Sequence, residues 1–115
     1  MLVIRQQQEE IFRSHQLEQA VYRAMGHVHE YYPNTSVEYG GQLLGVVLQA
    51  FTDGRNYGFV SMRDALKFLN LSIELGPGFH TSAPWADIIQ DMSVTPTEKI
   101  LLIRIGMKNG AGTQT

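Results

Sequence analysis

The groups that could move protons near neutrality are four histidines: His15, His27, His29 and His80. His27 and His29 lie two positions apart, so on a helix they point to different faces, whereas a helical metal pair needs a spacing of three or four. No acidic partner stands at a recognised ligand spacing, so no metal site is expected. His80 is the most suggestive of the four, because it follows Gly76-Pro77-Gly78-Phe79 in a turn-forming stretch. The chain has no cysteine, which removes thiolate nucleophiles, thiolate zinc ligands and disulfides. Its serines stand in neither a Gly-x-Ser-x-Gly elbow nor a Ser-x-x-Lys motif. Gly40-Gly41 and Gly76-Pro77-Gly78 lack the Lys-Ser/Thr ending of a phosphate loop. Glu9 with Glu10, and Glu18 with Glu30, read as solvated helix positions. The expectation is a protein with no catalytic residues and no cofactor, and therefore a non-enzymatic one.

The aromatic residues carry more. Tyr57, Phe59, Phe79 and Trp85 fall in connectors or at element starts, not in the middle of helices. Two roles suit that placement. They plug the core from its ends, or they form a protein-binding surface, where such residues are enriched. Ile4 and Ile11 are seven apart and suit an amphipathic N-terminal helix that packs on its own domain or on a partner. The candidate protein-binding residues are therefore Ile4, Ile11, Tyr57, Phe59, Phe79, His80 and Trp85.

The elements that must position them are helical. Residues 3–32 are rich in helix formers, and Val21, Ala24, Met25, Val28 and Tyr32 make one apolar face. Ile4, Ile11 and Phe12 begin a stripe that loses register at Ser14-His15, so a bend or two helices are expected. Pro33-Asn34 should end this segment, and residues 34–41 read as a loop. A helix over 42–52 would carry Leu43, Leu44, Val47, Leu48 and Phe51 on one face, with Asp53-Gly54 as its stop. Ser61-Met62-Arg63-Asp64 resembles a capping box. The helix behind it carries two apolar stripes, Met62, Ala65, Leu66, Leu69 and Ile73, then Phe68, Leu71 and Leu75. Only Arg63, Lys67, Asn70 and Glu74 are left as a polar strip, so residues 61–75 are expected to form a central helix surrounded by protein. Gly76-Pro77 ends it, and 78–83 read as a loop. Pro84 then opens a short helix bearing Trp85, Ile88, Ile89 and Met92. Thr95-Pro96-Thr97-Glu98 is a strong helix start for 100–105, although the β-branched isoleucines leave a strand as the alternative. The fold class is all-α: a single domain over 1–108, a bundle of about five helices around the central one, with a polar flexible tail at 109–115.

Composition narrows the partners. With 115 residues, 43% hydrophobic and 17% charged, the chain suits one folded domain. A net charge of -2 argues against nucleic acid as a partner. Met1 to Arg5 lack the apolar run of a secretory signal, and no stretch is apolar for long enough to insert in a membrane, so a cytoplasmic location is expected. The apolar stripes exceed what so short a chain comfortably buries, which points to a protein partner or a homo-oligomer.

One ordered set of short motifs is familiar. It comprises Met1-Leu2-Val3-Ile4-Arg5 with Phe12, Tyr31-Tyr32-Pro33, and Tyr57-Gly58-Phe59. It continues with Asp64-x-x-x-Phe68-Leu69-x-Leu71, then Leu75-Gly76-Pro77-x-Phe79 and Pro84-Trp85. The chain, from about Ile4 to Ile100, resembles a family of small bacterial proteins encoded beside effector and PAAR-spike genes of the type VI secretion system. The resemblance implies a mainly helical accessory protein, an adaptor or co-chaperone that binds an effector or its larger chaperone before secretion. Where the family pattern carries acidic residues after Gly-Pro, this chain has Gly78 and His80. The competing expectation is an immunity protein that binds and neutralises a toxin, since an acidic surface suits a basic cleft.

Overall fold

The computed structural model describes residues 11–12 and 16–109. Among them are six α-helices: α1 (Gln16–Tyr31), α2 (Pro33–Tyr39), α3 (Leu43–Arg55), α4 (Met62–Leu75), α5 (Trp85–Ile89) and α6 (Pro96–Lys108). Two short 3-10 turns, Gly40–Gln42 and Phe79–Thr81, complete the described secondary structure, which contains no strand. The fold is all-α. Ile4 and the 110–115 part of the expected tail lie outside the described residues.

The central helix is α4. Ser61 caps it, its Oγ accepting a hydrogen bond from the Asp64 amide at 3.1 Å. Ala65, Phe68, Leu69, Leu71 and Ser72 are buried along it, and it packs against α3, α6 and the Phe79–Thr81 turn. Phe68 lies at the middle of the core, fully buried, with ring centroids 5.2 Å from Phe59 and 5.1 Å from Phe79. Tilted aromatic pairs at that spacing add to the stabilisation that area burial alone supplies. Gly76, at φ 106°, ends α4 in a backbone conformation that disfavours side-chain-bearing residues.

The start of α6 is the strongest local signal in the chain. Thr95 Oγ1 accepts from the Glu98 amide, and the Glu98 carboxylate accepts in return from the Thr95 amide at 3.0 Å. With Pro96 in the first turn, this local set overrides the β preference of the isoleucines, and residues 100–105 are helix.

Three expectations are corrected. Residues 34–41 are not a loop, because Pro33 stands at the first position of α2. A proline there loses no helical hydrogen bond and presets φ, so it ends α1 and starts the next helix at once. Asp53-Gly54 does not stop α3, which runs on to Arg55. Gly54 is buried, and a Cβ there would stand 3.0 Å from Phe68 Cγ and 3.2 Å from Phe59 Cβ, so its role is close packing against the aromatic core. Leu44, Leu48 and Met92 are exposed. α3 turns Leu43, Val47, Ala50 and Phe51 inward instead, and α5 ends at Ile89 before Met92 can continue its face.

Candidate functional site

One face of α3, bearing Gly45, Val46, Gln49, Ala50 and Asp53, borders an apolar cavity of about 350 Å³. Tyr39 of α2 and Gln42 border it on one side, and Ser72, Ile73 and Pro77 face it from the end of α4. Ala50 and Ser72 are buried and make its floor, while Gln42, Gly45, Gln49 and Pro77 are exposed and make its rim. The Ser72 hydroxyl has no hydrogen-bond partner among the described residues. The oxygen itself is buried, so it is closed off from the cavity as well as from other polar groups.

Asp53 connects this cavity to His80. Gln49 Nε2 donates to Asp53 Oδ1 at 2.9 Å, and His80 Nε2 stands 3.8 Å from Asp53 Oδ2. That is an ion-pair distance and too long for a hydrogen bond. The His80 ring sits among Tyr57, Phe68 and Phe79, each with its centroid 5.8 Å away. Gln90 Nε2 donates to the His80 carbonyl at 3.0 Å and holds its backbone in place. His80 Nδ1 is buried without a partner among the described residues.

The other sequence-predicted residues are placed as follows. Ile11, Phe59, Phe79 and Trp85 are all core residues, and none is more than 4% exposed. They plug the core and present no surface to a partner; the surface role is corrected for these four. Burial is the cheaper arrangement, because each large side chain removes apolar area from water that a small domain cannot otherwise cover. The Ile11 amide donates to the Val60 carbonyl at 2.8 Å, and the Arg55 guanidinium lies 4.8 Å above the Phe12 ring, so this segment packs on its own domain. Tyr57 is half-buried beside His80. Tyr57, Phe59, Phe79 and His80 are thus brought together, whereas Trp85 belongs to α5 and Ile11 to the Val60 side.

Two polar features escape the sequence reading. The polar strip of α4 is partly a seam between helices. Asn70 hydrogen-bonds His27 of α1 at 2.8 Å, and Glu74 accepts from Tyr32 at 2.6 Å and from Arg104 of α6 at 2.5 Å. His29 similarly meets Ser36 of α2. The second feature is Lys99, 1% exposed, whose Nζ donates to the Tyr57 carbonyl at 3.3 Å and lies 6.0 Å from the Tyr57 and Phe59 rings. Among the described residues no three His, Asp or Glu side chains are grouped as a metal ion would require.

The Tyr32 hydroxyl is pushed up to about 12, first by burial and then by the hydrogen bond to, and negative charge of, Glu74. Burial alone would also raise the Glu74 carboxyl, but hydrogen bonds from Arg104 and Tyr32 outweigh it and hold it below its ordinary value. Because the folded chain keeps the Tyr32 proton longer than the unfolded one, this group's stabilisation is present below pH 10 and falls as pH rises from 10 towards 12. Ultraviolet titration should show one of the five tyrosines ionising near pH 12. Tyr32→Phe should remove that late step and flatten the loss of stability in the same range; an unchanged titration would sink the assignment.

No family model matches this chain, and no curated protein or solved structure shows significant similarity to it.

Proposed function

We propose that the protein is a non-enzymatic, cytoplasmic binding module, an adaptor or co-chaperone that covers an apolar surface on a larger protein. The partner class follows from the resemblance of its ordered motifs: a type VI secretion effector, or the chaperone that loads it. The observation that carries a binding role is the outer face of α6. Ile100 and Ile103 fill the core from this helix, yet Leu101, Leu102 and Ile105 stand 59%, 44% and 47% exposed on its other side. A helix apolar on both sides ordinarily has protein on both sides. Tyr22, Leu44 and Leu48 make a second exposed apolar area between α1 and α3. No described helix is long and apolar enough to cross a membrane.

The test is co-expression with the neighbouring effector and chaperone, followed by size exclusion. A stoichiometric complex is expected with the parent chain. Leu101→Asp with Ile105→Asp should weaken it about 100-fold or more, since truncating central anchors of an interface costs about 2 kcal/mol or more each. Leu44→Asp serves as the comparison on the other face. Absence of any complex, or a double variant that binds like the parent, would overturn the reading. A deletion strain that becomes sensitive to its siblings, instead of losing delivery, would assign the immunity role.

A further inference from the structure

The outer face of α6 is complementary to itself. Glu98, Leu101, Leu102, Ile105 and Lys108 are all exposed, and each stands three or four positions from its neighbours on the adjoining turn, so the five share one side of the helix. Ile100 and Ile103 seat the opposite side in the core, so a fixed element presents this face. Its three apolar residues lie in the middle, with an acid at the N-terminal end and a base at the C-terminal end. We propose that in the free protein a second copy of the chain covers this face, the two α6 helices lying antiparallel about a two-fold axis at the level of Ile103.

Charge and spacing select this arrangement. Glu98 and Lys108 are equidistant from Ile103 along the helix, and so are Leu101 and Ile105. An antiparallel second copy therefore sets Glu98 opposite the partner's Lys108 and Leu101 opposite the partner's Ile105, each pair twice, while Leu102 meets its own counterpart near the axis. A parallel pair would set like charges together at both ends, which opposes association. The antiparallel pair also lays the positive end of one helix dipole beside the negative end of the other. Glu98 keeps an acceptor for this contact: both of its side-chain bonds to Thr95 use Oε1, so Oε2 is left for the partner's Lys108. A patch that matches itself across a two-fold axis closes at two copies.

An unrelated partner would account for the apolar middle of the face, but not for opposite charges placed symmetrically about it. One helix face per copy buries less than the roughly 1,600 Å² of a standard interface, so the expected dimer is weak, with a Kd in the micromolar range. The inference does not rest on the adaptor reading, and it adds a step to it. The second copy keeps Leu101, Leu102 and Ile105 from water until a larger protein displaces it from the same face. Self-association is measured on the purified chain alone, so its failure leaves the complex with an effector or chaperone to be judged separately.

Sedimentation equilibrium of the purified full-length chain should show a reversible monomer–dimer equilibrium. Lys108→Glu puts like charges together at both ends of the pair, and Glu98→Lys does the same. Each should weaken the dimer about tenfold or more, because two exposed charge pairs turn from attraction to repulsion. Mixed in equal amounts, the two variants again oppose unlike charges at both ends, and the mixed dimer should regain the affinity of the parent. Glu98→Lys also gives up half of the α6 cap, so thermal unfolding establishes that each variant is folded before it is mixed. Leu102→Cys supplies a second readout that needs no charge reversal. The chain has no other cysteine, so a short bis-maleimide should link two copies through this residue and not through Leu48→Cys on α3. A parent that stays monomeric up to millimolar concentration overturns the inference. So does a dimer that Lys108→Glu leaves intact, a mixture of folded variants no tighter than either alone, or a Leu48→Cys chain that links as readily as Leu102→Cys.

Discussion

Phe68→Ala is expected to remove about 3–5 kcal/mol of folding stability, the usual range for emptying a phenylalanine site in a packed core. The ring is fully buried, touches the rings of Phe59, Phe79 and His80, and closes against the backbone of α3 at Gly54. Elements on either side of the core therefore meet at this one side chain. Total stabilities of domains are about 5–15 kcal/mol, so this variant should sit near the edge of folding at 37 °C. Urea denaturation followed by the fluorescence of Trp85, the one tryptophan and itself buried, reads the change directly. A loss below about 1 kcal/mol would mean that the aromatic cluster is not the centre of the core.

Lys99→Met should act in the opposite direction, raising stability by about 1–2 kcal/mol at pH 7. Burying an ammonium is costly unless its donors are satisfied, and Lys99 donates to one carbonyl, that of Tyr57. The cation–ring contacts and the charge of Asp91 recover part of the cost. Desolvation nevertheless dominates and holds the ammonium below its ordinary value of 10.5. Methionine keeps the length and apolar stem, removes the charge, and leaves the Tyr57 carbonyl to water or another donor at a cost of about 1 kcal/mol. The sign with pH follows. Between the folded-state value and 10.5 the unfolded chain holds more protons at this site, so the parent gains stability as pH rises through that window. The gap between variant and parent should accordingly narrow on going from pH 7 to pH 10. Denaturation curves at three pH values check it. A variant less stable than the parent by about 1 kcal/mol would show instead that the Lys99 bond to Tyr57 outweighs the burial of its charge.

Local signals were legible in the amino-acid sequence, and relations between distant segments were not. The caps at Ser61 and Thr95, and the two stripes of 61–75, each lie within one stretch of chain and identify α4 and α6. Pro33 is ambiguous by nature, since the same ring ends one helix and begins another. Gly54 reads as a stop until Phe59 and Phe68 are known to press on it. The grouping of Tyr57, Phe59, Phe79 and His80 was visible only as a surplus of aromatics outside helices. Whether they cover the core or a partner depends on the distance to Phe68, which no spacing along the chain encodes. Ser72 falls in the buried register of α4 one position after Leu71, and nothing local marks it as the floor of a cavity. Lys99 looks like an ordinary first-turn cation until Tyr57, 42 residues away, supplies its carbonyl.

The seat of Lys99 also makes α6 a reporter of its own motion. The chain has three lysines, and Lys108 is exposed while Lys99 is closed off between α6 and the 57–59 connector. An amine-directed reagent can reach Lys99 only in the fraction of molecules in which α6 has lifted from that connector. Its labelling rate relative to Lys108 therefore measures how often the helix detaches while the rest of the domain stays folded. The same helix carries Leu101, Leu102 and Ile105 on its outer side. A partner that clamps that face would slow the clock at Lys99 without touching it.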